Sequence, residues 1–279
     1  MLALCLLLSL SAAPSPAAAQ DVTALIGVEE VEGHGTALES VRRAADSVVL
    51  LRQEGGSARA LWVPRQSVLR LPSGSVTTPA DALRQGGTDR LDAALEQTLG
   101  VRPAHHVLLD RRGFRALVDA VGGVALPPGG SGVRRIDGQG AMAMVRALPG
   151  DPRADLARIR REMLLVRAFA AALPRSGVGG VLRAAALLPT VGWTDLSPLH
   201  AAELTFALAR EPLRCAVLPG VVQGTGYRTA ARAGAFARHH LGLDSEGQHK
   251  GRRRALPDAR REIEVAAQGF GERLRDREA

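Results

Sequence analysis

The 279-residue chain carries a formal charge of +8, borne almost wholly by arginine, with 46% hydrophobic but only 3% aromatic residues and two cysteines. That length and hydrophobic share suit one domain with a sizeable core and leave no room for a second, since single cores stop growing near about 250 to 300 residues. The scarcity of aromatic rings removes the stacking platforms that hold single-stranded nucleic acid, so the basic charge does not make this chain a nucleic-acid binder.

Residues 1–19, MLALCLLLSLSAAPSPAAA, form a short apolar run that closes on small residues, the pattern of a secretory signal peptide cut before Gln20. No Lys or Arg precedes the apolar core, so retention as an N-terminal membrane anchor is the alternative. No later stretch approaches the roughly 20 apolar residues of a transmembrane helix. The remainder is therefore read as an exported domain, soluble or tethered at its N-terminus, with a basic surface suited to anionic lipids and polymers. Loss of the signal takes Cys5 with it and leaves Cys215 alone, so no intrachain disulfide is available. Cys215 lies in the apolar run 214–218 and reads as a small buried residue.

Residues 21–28 (DVTALIGV) and 47–52 (SVVLLR) predict buried strands, and 58–63 (ARALWV) follows a turn at Glu54-Gly55-Gly56, giving a β-hairpin at the centre of a sheet. Over 88–99 the apolar Leu91, Ala94, Leu95 and Leu99 share one helical stripe, with Thr88 as N-cap and Gly100 as stop. Residues 105–109 predict a strand and 113–121 a helix stopped by Gly122-Gly123. The longest helix is predicted over 154–173. Two more follow over 177–188 and 197–208, the second opening with Ser197 as N-cap and Pro198 at N1. From residue 245 the mixed charges and the small share of apolar residues predict a disordered or loosely helical tail over 245–279, leaving 20–244 as the folded domain. Helices interleaved with strands predict an α/β or α+β layered architecture.

The stretch 137–162, DGQGAMAMVRALPGDPRADLARIRRE, organises the rest. An apolar start with Met142, Met144 and Val145 leads to Arg146, a Leu-Pro-Gly-Asp-Pro break follows, and a second helix begins at Asp155. Asp155, Arg158 and Glu162 fall at helical spacing, and Arg161 lies three beyond Arg158, so these groups are predicted on one face. Guanidiniums beside a helix N-terminus suit phosphate oxygens. On spacing alone the plainer reading is a solvated arginine face laced with Asp and Glu.

Further candidates lie at strand ends. Asp46 immediately precedes SVVLLR, and Glu29 and Glu30 follow the strand 21–28. Such carboxylates can converge on a hard cation such as magnesium, although each alone is commonly a solvated loop acid. Arg65 sits at the exit of ARALWV, where the plainer reading is a surface arginine. His105-His106 near Arg102 lacks a spaced third ligand for zinc and reads as structural. Gly122-Gly123 and Gly129-Gly130 lack the strand-to-helix context of a phosphate loop and read as turns. The sequence contains no G-x-S-x-G elbow and no H-E-x-x-H.

The order of the pieces ADSVVLLR, ALWVPR, LDAALEQTLGV, HHVLLDRRGFRALVDAVGGV, IDGQGAMAMVR and DLARIRRE resembles the LytR-CpsA-Psr family of cell-wall transferases, over roughly residues 22–228. GFRALVDAVGGV is the most specific phrase and the arginine helix the next. The resemblance implies a single layered domain, a central mixed β-sheet flanked by helices, with an apolar groove for a polyprenyl lipid. Met163, Leu164, Leu165, Val166, Val181, Leu182 and Leu188 are candidates to line that groove, although most must also build the core. It implies metal-assisted transfer of a glycan polymer from a polyprenyl-pyrophosphate carrier to peptidoglycan, in the periplasm or on the outer face of the cytoplasmic membrane.

Carried onto matching positions, the resemblance makes Asp46 and Glu29 metal ligands for magnesium, or manganese in its place. It makes Asp46, Arg65, Arg146, Asp155, Arg158 and Arg161 the catalytic set, with the four arginines clamping the pyrophosphate. Either Asp155 or Asp46 would orient the groups or accept the proton. The sequence departs from the family pattern at Gln66, Leu148 and Glu162, where aspartate, arginine and glutamine are usual, and at Met144, where tyrosine is common. Arg153 or Arg160 would substitute for the missing guanidinium. These departures keep open a catalytically weakened wall-glycan binding protein, and a pyrophosphatase using water as acceptor is a close neighbour of the transferase.

Overall fold

A computed structural model describes residues 22–28, 44–54, 57–126, 134–145, 152–188, 192–210 and 213–243. The signal-like segment 1–19, Glu29, Arg146, Leu148, Gly129-Gly130 and the tail 245–279 lie outside the described residues.

Three strands open the fold, β1 (Val22–Val28), β2 (Ala45–Glu54) and β3 (Ser57–Val63). β1 pairs antiparallel with β2, and β2 with β3, as the hairpin reading requires. The short β4 (Leu69–Arg70) and β5 (Val76–Thr77) pair with each other and lead into α1 (Pro79–Leu99). β6 (His105–Leu109), α2 (Arg111–Ala120), the paired β7 (Val124–Leu126) and β8 (Arg134–Ile136), and α3 (Gly138–Val145) come next. α4 (Pro152–Ala172) passes through a 3₁₀ turn at Pro174–Ser176 into α5 (Gly177–Leu187). β9 (Gly192–Thr194), α6 (Pro198–Arg210), β10 (Leu213–Val217), the hairpin β11 (Gly220–Gln223) and β12 (Gly226–Thr229), and α7 (Ala233–Leu241) complete the order.

Six strands form one mixed sheet in the order β10-β3-β2-β1-β6-β9. β1 with β6 and β3 with β10 are parallel, while the remaining pairs are antiparallel. Strand alternation divides the sheet's side chains between two helical layers. Val48 and Leu50 of β2 join Leu91, Ala94, Leu95 and Leu99 of α1 and Ala237 and Leu241 of α7 in one core. Val49 and Leu51 of the same strand join Trp62 and Ile159 of α4 on the opposite face. A third cluster under β6 packs Val107 against α2, α4, α5 and α6. The layered α/β architecture predicted from the sequence is therefore the one observed.

Local signals account for most element ends. Ser197 Oγ accepts from the His200 N–H at 3.2 Å, and Pro198 opens α6, as a capped N-terminus requires. Gly100 closes α1 at φ +66°, where its N–H donates to the Glu96 carbonyl. The sequence reading placed the start of α1 too late. The helix begins at Pro79, capped by the Thr78 side chain accepting from the Asp81 N–H, and breaks at Gly86-Gly87 before resuming with the predicted stripe. Gly87 at φ +64° is the reason for the break, and the short apolar pair Ala82 and Leu83 ahead of it carried too little periodicity to announce a helix. α4 likewise starts at Pro152, two residues before the predicted Ala154. Cys215 is half-buried instead of fully buried, because β10 is an edge strand of the sheet, with a neighbouring strand, β3, on one side.

His106 ties three elements together. Its Nε2 lies 3.0 Å from Asp92 Oδ1 of α1, its Nδ1 3.0 Å from Asp195 Oδ2 beyond β9, and its backbone N–H donates to Asp195 Oδ1 at 2.7 Å. Burial disfavours the charged ring, but hydrogen bonds and attraction from Asp92 and Asp195 outweigh it and hold the pKa above the ordinary histidine value. A raised folded-state pKa gives stability that is fully present below the unfolded value, about 6.5, and is lost as pH rises through the folded value. The thermal midpoint of the wild type relative to a His106→Gln variant is thus expected to shrink as pH rises. Melting both proteins across a pH series checks this, and a gap that widens with pH would mean that the ring is neutral.

Candidate active site

At one end of the sheet the register shifts. Gly27 pairs with Ser47 but Val28 pairs with Ala45, so Asp46 is the extra residue of a β-bulge in β2. The carboxylate expected just before the strand is thus inside it, aimed out of the ladder by the bulge. Arg65 follows β3 after Pro64 and reaches back: its Nη1 donates to Asp46 Oδ1 at 2.6 Å. Its Nε stands 3.3 Å from Asp155 Oδ1, in the first turn of α4.

Asp155 and Arg158 are only 2% and 5% exposed, so this face of α4 is not the solvated one that spacing alone favoured. Arg158 donates through Nε and Nη2 to Asp155 Oδ1 at 3.1 and 2.7 Å, and through Nη2 to the Asp46 carbonyl at 2.6 Å. Its Nη1 donates to Glu162 Oε1. Glu162 Oε2 accepts from Ser47 Oγ at 2.8 Å and from the Trp62 indole N–H at 3.2 Å. Burial holds the Arg158 charge back, but Glu162 and Asp155 more than restore it, so its pKa lies above the ordinary arginine value. Burial pushes the Glu162 carboxyl up against the pull of Arg158, Ser47 and Trp62.

Of the residues singled out from the sequence, the structure brings Asp46, Arg65, Asp155 and Arg158 into one network. Arg161 turns aside: its Nε donates to the Met144 carbonyl at 2.7 Å, fastening α3 to α4 across the break. Arg153 and Arg160 are exposed on α4. Glu29 and Arg146 belong to segments outside the described residues. Gln66 follows Arg65 with its side-chain oxygen buried and without a hydrogen-bond partner among the described residues. Ser47 and Trp62 were missed by sequence reasoning. The one available signal was the adjacency of Ser47 to Asp46, whereas Trp62 is indistinguishable from a core residue in an apolar strand.

The network sets three carboxylates, Asp46, Asp155 and Glu162, against two guanidiniums, Arg65 and Arg158. Asp155 Oδ2 is buried with no hydrogen-bond partner among the described residues, and the Asp46 side chain is one-third exposed. A hard cation bound by one or two carboxylates and completed by substrate phosphates suits that donor set. Among the described residues no group of three or more His, Cys, Asp or Glu is placed to hold a metal by itself.

Residues 17–128 match the model of the LytR_cpsA_psr family. A curated relative, the probable cell wall biosynthesis protein LcpB of Corynebacterium glutamicum, is 28% identical over 131 residues, which cover 42% of this chain and 32% of the relative. The chain thus spans about a third of that protein's length. Among solved structures, the LytR-Csp2A-Psr enzyme from Actinomyces oris superposes with a TM-score of 0.65 at 15% identity, covering 80% of this chain and 90% of that one. TagT of B. subtilis gives 0.61 at 17% identity over 82% and 92% of the two chains. TagT bound to LI-WTA gives 0.62 at 18% identity over 80% and 89%. Asp46 and Arg65 fall within the segment matched by the family model, while Asp155, Arg158 and Glu162 lie beyond it and reach it through the contacts above.

Proposed function

Over residues 17–128 the chain matches the LytR-CpsA-Psr family, and we propose that it belongs to that family and transfers a glycan polymer from a polyprenyl-pyrophosphate carrier to a peptidoglycan hydroxyl in cell-wall assembly. The observation that carries this reading is the convergence of Asp46, Arg65, Asp155 and Arg158 at one end of the sheet, from a strand bulge, a strand exit and a helix start. Phosphoryl transfer needs little covalent help from a protein, so positioning and charge stabilisation of this kind supply most of the catalysis.

The acceptor sugar hydroxyl attacks the glycan-proximal phosphorus and polyprenyl phosphate leaves. Asp46 is the carboxylate that orients the hydroxyl or takes its proton, because it is one-third exposed whereas the Asp155 side chain is 3% exposed and faces Arg158. Arg65, tied to both carboxylates, presents its guanidinium to the phosphates, and the exposed Arg153 on the first turn of α4 is a further cationic group for them. Asp46 and the unpartnered Asp155 Oδ2 would hold magnesium or manganese, which when bound neutralises charge on the phosphates. The lipid chain would need an apolar surface beside this site: Leu164 of α4 is exposed, whereas Leu156, Met163, Val166, Leu204 and Leu208 pack against the core between the sheet and the helices. Leu165, Val181 and Leu188 instead fill the core. This reading places the protein in the cell envelope, in the periplasm or on the outer face of the cytoplasmic membrane; no helix among the described residues is long and apolar enough to cross a membrane.

One observation favours a second reading, a wall-glycan binding protein with weakened catalysis: every nitrogen of Arg158 already has a partner inside the protein. Incubating residues 20–279 with a short polyprenyl-pyrophosphate disaccharide and peptidoglycan fragments, with and without magnesium, separates the two. Metal-dependent appearance of polyprenyl phosphate and a phosphodiester-linked product is the expected result. Lipid binding with no release under any metal or acceptor would leave the binding protein.

A further inference from the structure

Glu162 is the charged group in this network to which the family resemblance gives no role, and it stands where glutamine is usual. It faces Arg158 across one helical turn of α4, its Oε1 accepting from Nη1, while Ser47 Oγ and the Trp62 indole N–H hold Oε2. The other edge of the guanidinium is occupied by Asp155 and by the Asp46 carbonyl. Asp155 is almost fully buried and the Asp46 carbonyl belongs to the backbone, so neither can yield its donor without disturbing the helix start or the bulge. The Nη1 contact is different, because Glu162 can release it and still keep both hydrogen bonds on Oε2. An anionic ligand approaching Arg158 seeks that same Nη1 edge, and it meets a carboxylate there that glutamine would not supply.

Resting on the pyrophosphate reading of this site, we propose that Glu162 is a positioning residue that acts as an internal counter-anion, competing with the pyrophosphate group for the Nη1 edge of Arg158 and so holding the affinity of the site down. Ser47 and Trp62 fix the competitor in place. Neutralising a carboxylate at this distance, in a partly desolvated setting, is worth at least about tenfold in the affinity of an anion.

The test is calorimetric titration of inorganic pyrophosphate into the wild type, Glu162→Gln, Glu162→Asp, Arg158→Lys and the Glu162→Gln/Arg158→Lys pair, with circular dichroism to establish that each is folded and Glu162→Met as a second neutral variant. Expected are binding about tenfold tighter in the Gln and Met variants, near wild-type binding in the Asp variant, which keeps the charge, and loss of the gain once Arg158 is lysine. A carboxylate that merely braced the fold would loosen binding when replaced. Unchanged or weaker binding in both neutral variants, or equal tightening by Asp, overturns the inference and leaves the pyrophosphate site standing, provided that Arg158→Lys still weakens binding. Binding indifferent to Arg158, or absent from every variant, overturns the inference together with the site reading on which it rests.

Discussion

Replacing Arg158 with methionine is expected to remove about 3 to 5 kcal/mol of folding free energy, the usual cost of deleting one partner from a buried ion pair. Methionine keeps much of the stem volume, so the loss is electrostatic. Asp155, 2% exposed, and Glu162, 15% exposed at its side chain, would face each other with their shared cation gone. The Asp46 carbonyl at the bulge would lose its donor as well. Urea denaturation measures the loss without the screening that an ionic denaturant adds. Adding Asp155→Asn to the same chain should recover part of it, because the two changes share one interaction. A loss below about 1 kcal/mol would mean that water reaches these carboxylates.

Asp46→Asn should do the reverse, leaving stability nearly intact while lowering turnover of a polyprenyl-pyrophosphate glycan about 100- to 1,000-fold, the effect of removing one preorganised charged contact from a transition state. Its ion pair with Arg65 is part-exposed, 33% on one side chain and 21% on the other, and such pairs contribute little to folding, about 0 to 1 kcal/mol. Asparagine keeps an acceptor for Arg65 Nη1 but gives up the charge that would draw a divalent cation. Steady-state kinetics beside a thermal melt separates the two effects. Turnover within tenfold of the wild type would remove Asp46 from the chemistry.

These two residues also mark how much of the site was readable in advance. Asp46 and Arg65 stood out as charged residues beside apolar strands, and Asp155, Arg158 and Glu162 as a shared helical face; each signal is local and survives without knowing the fold. Nothing local announced that Glu162 would lie against Ser47, 115 positions away, or that Arg158 would donate to the Asp46 carbonyl across 112. Arg161, equivalent to Arg158 on spacing, turned to the Met144 carbonyl because α3 packs against α4 there.

The sequence by itself determined the alternation of β2 and β3 and the buried stripe of α1, together with the glycine that stops that helix and the serine that caps α6. Periodicity of 2 or 3.6 residues and the backbone freedom of glycine act over a few positions, so they are written into short segments. Only the tertiary structure decided that the face bearing Asp155 and Arg158 is buried, that Asp46 sits in a bulge, and that, among the described residues, three carboxylates meet two guanidiniums at the sheet's end. Whether a charge is solvated or paired depends on which groups pack against it, and here they come from segments about a hundred residues apart.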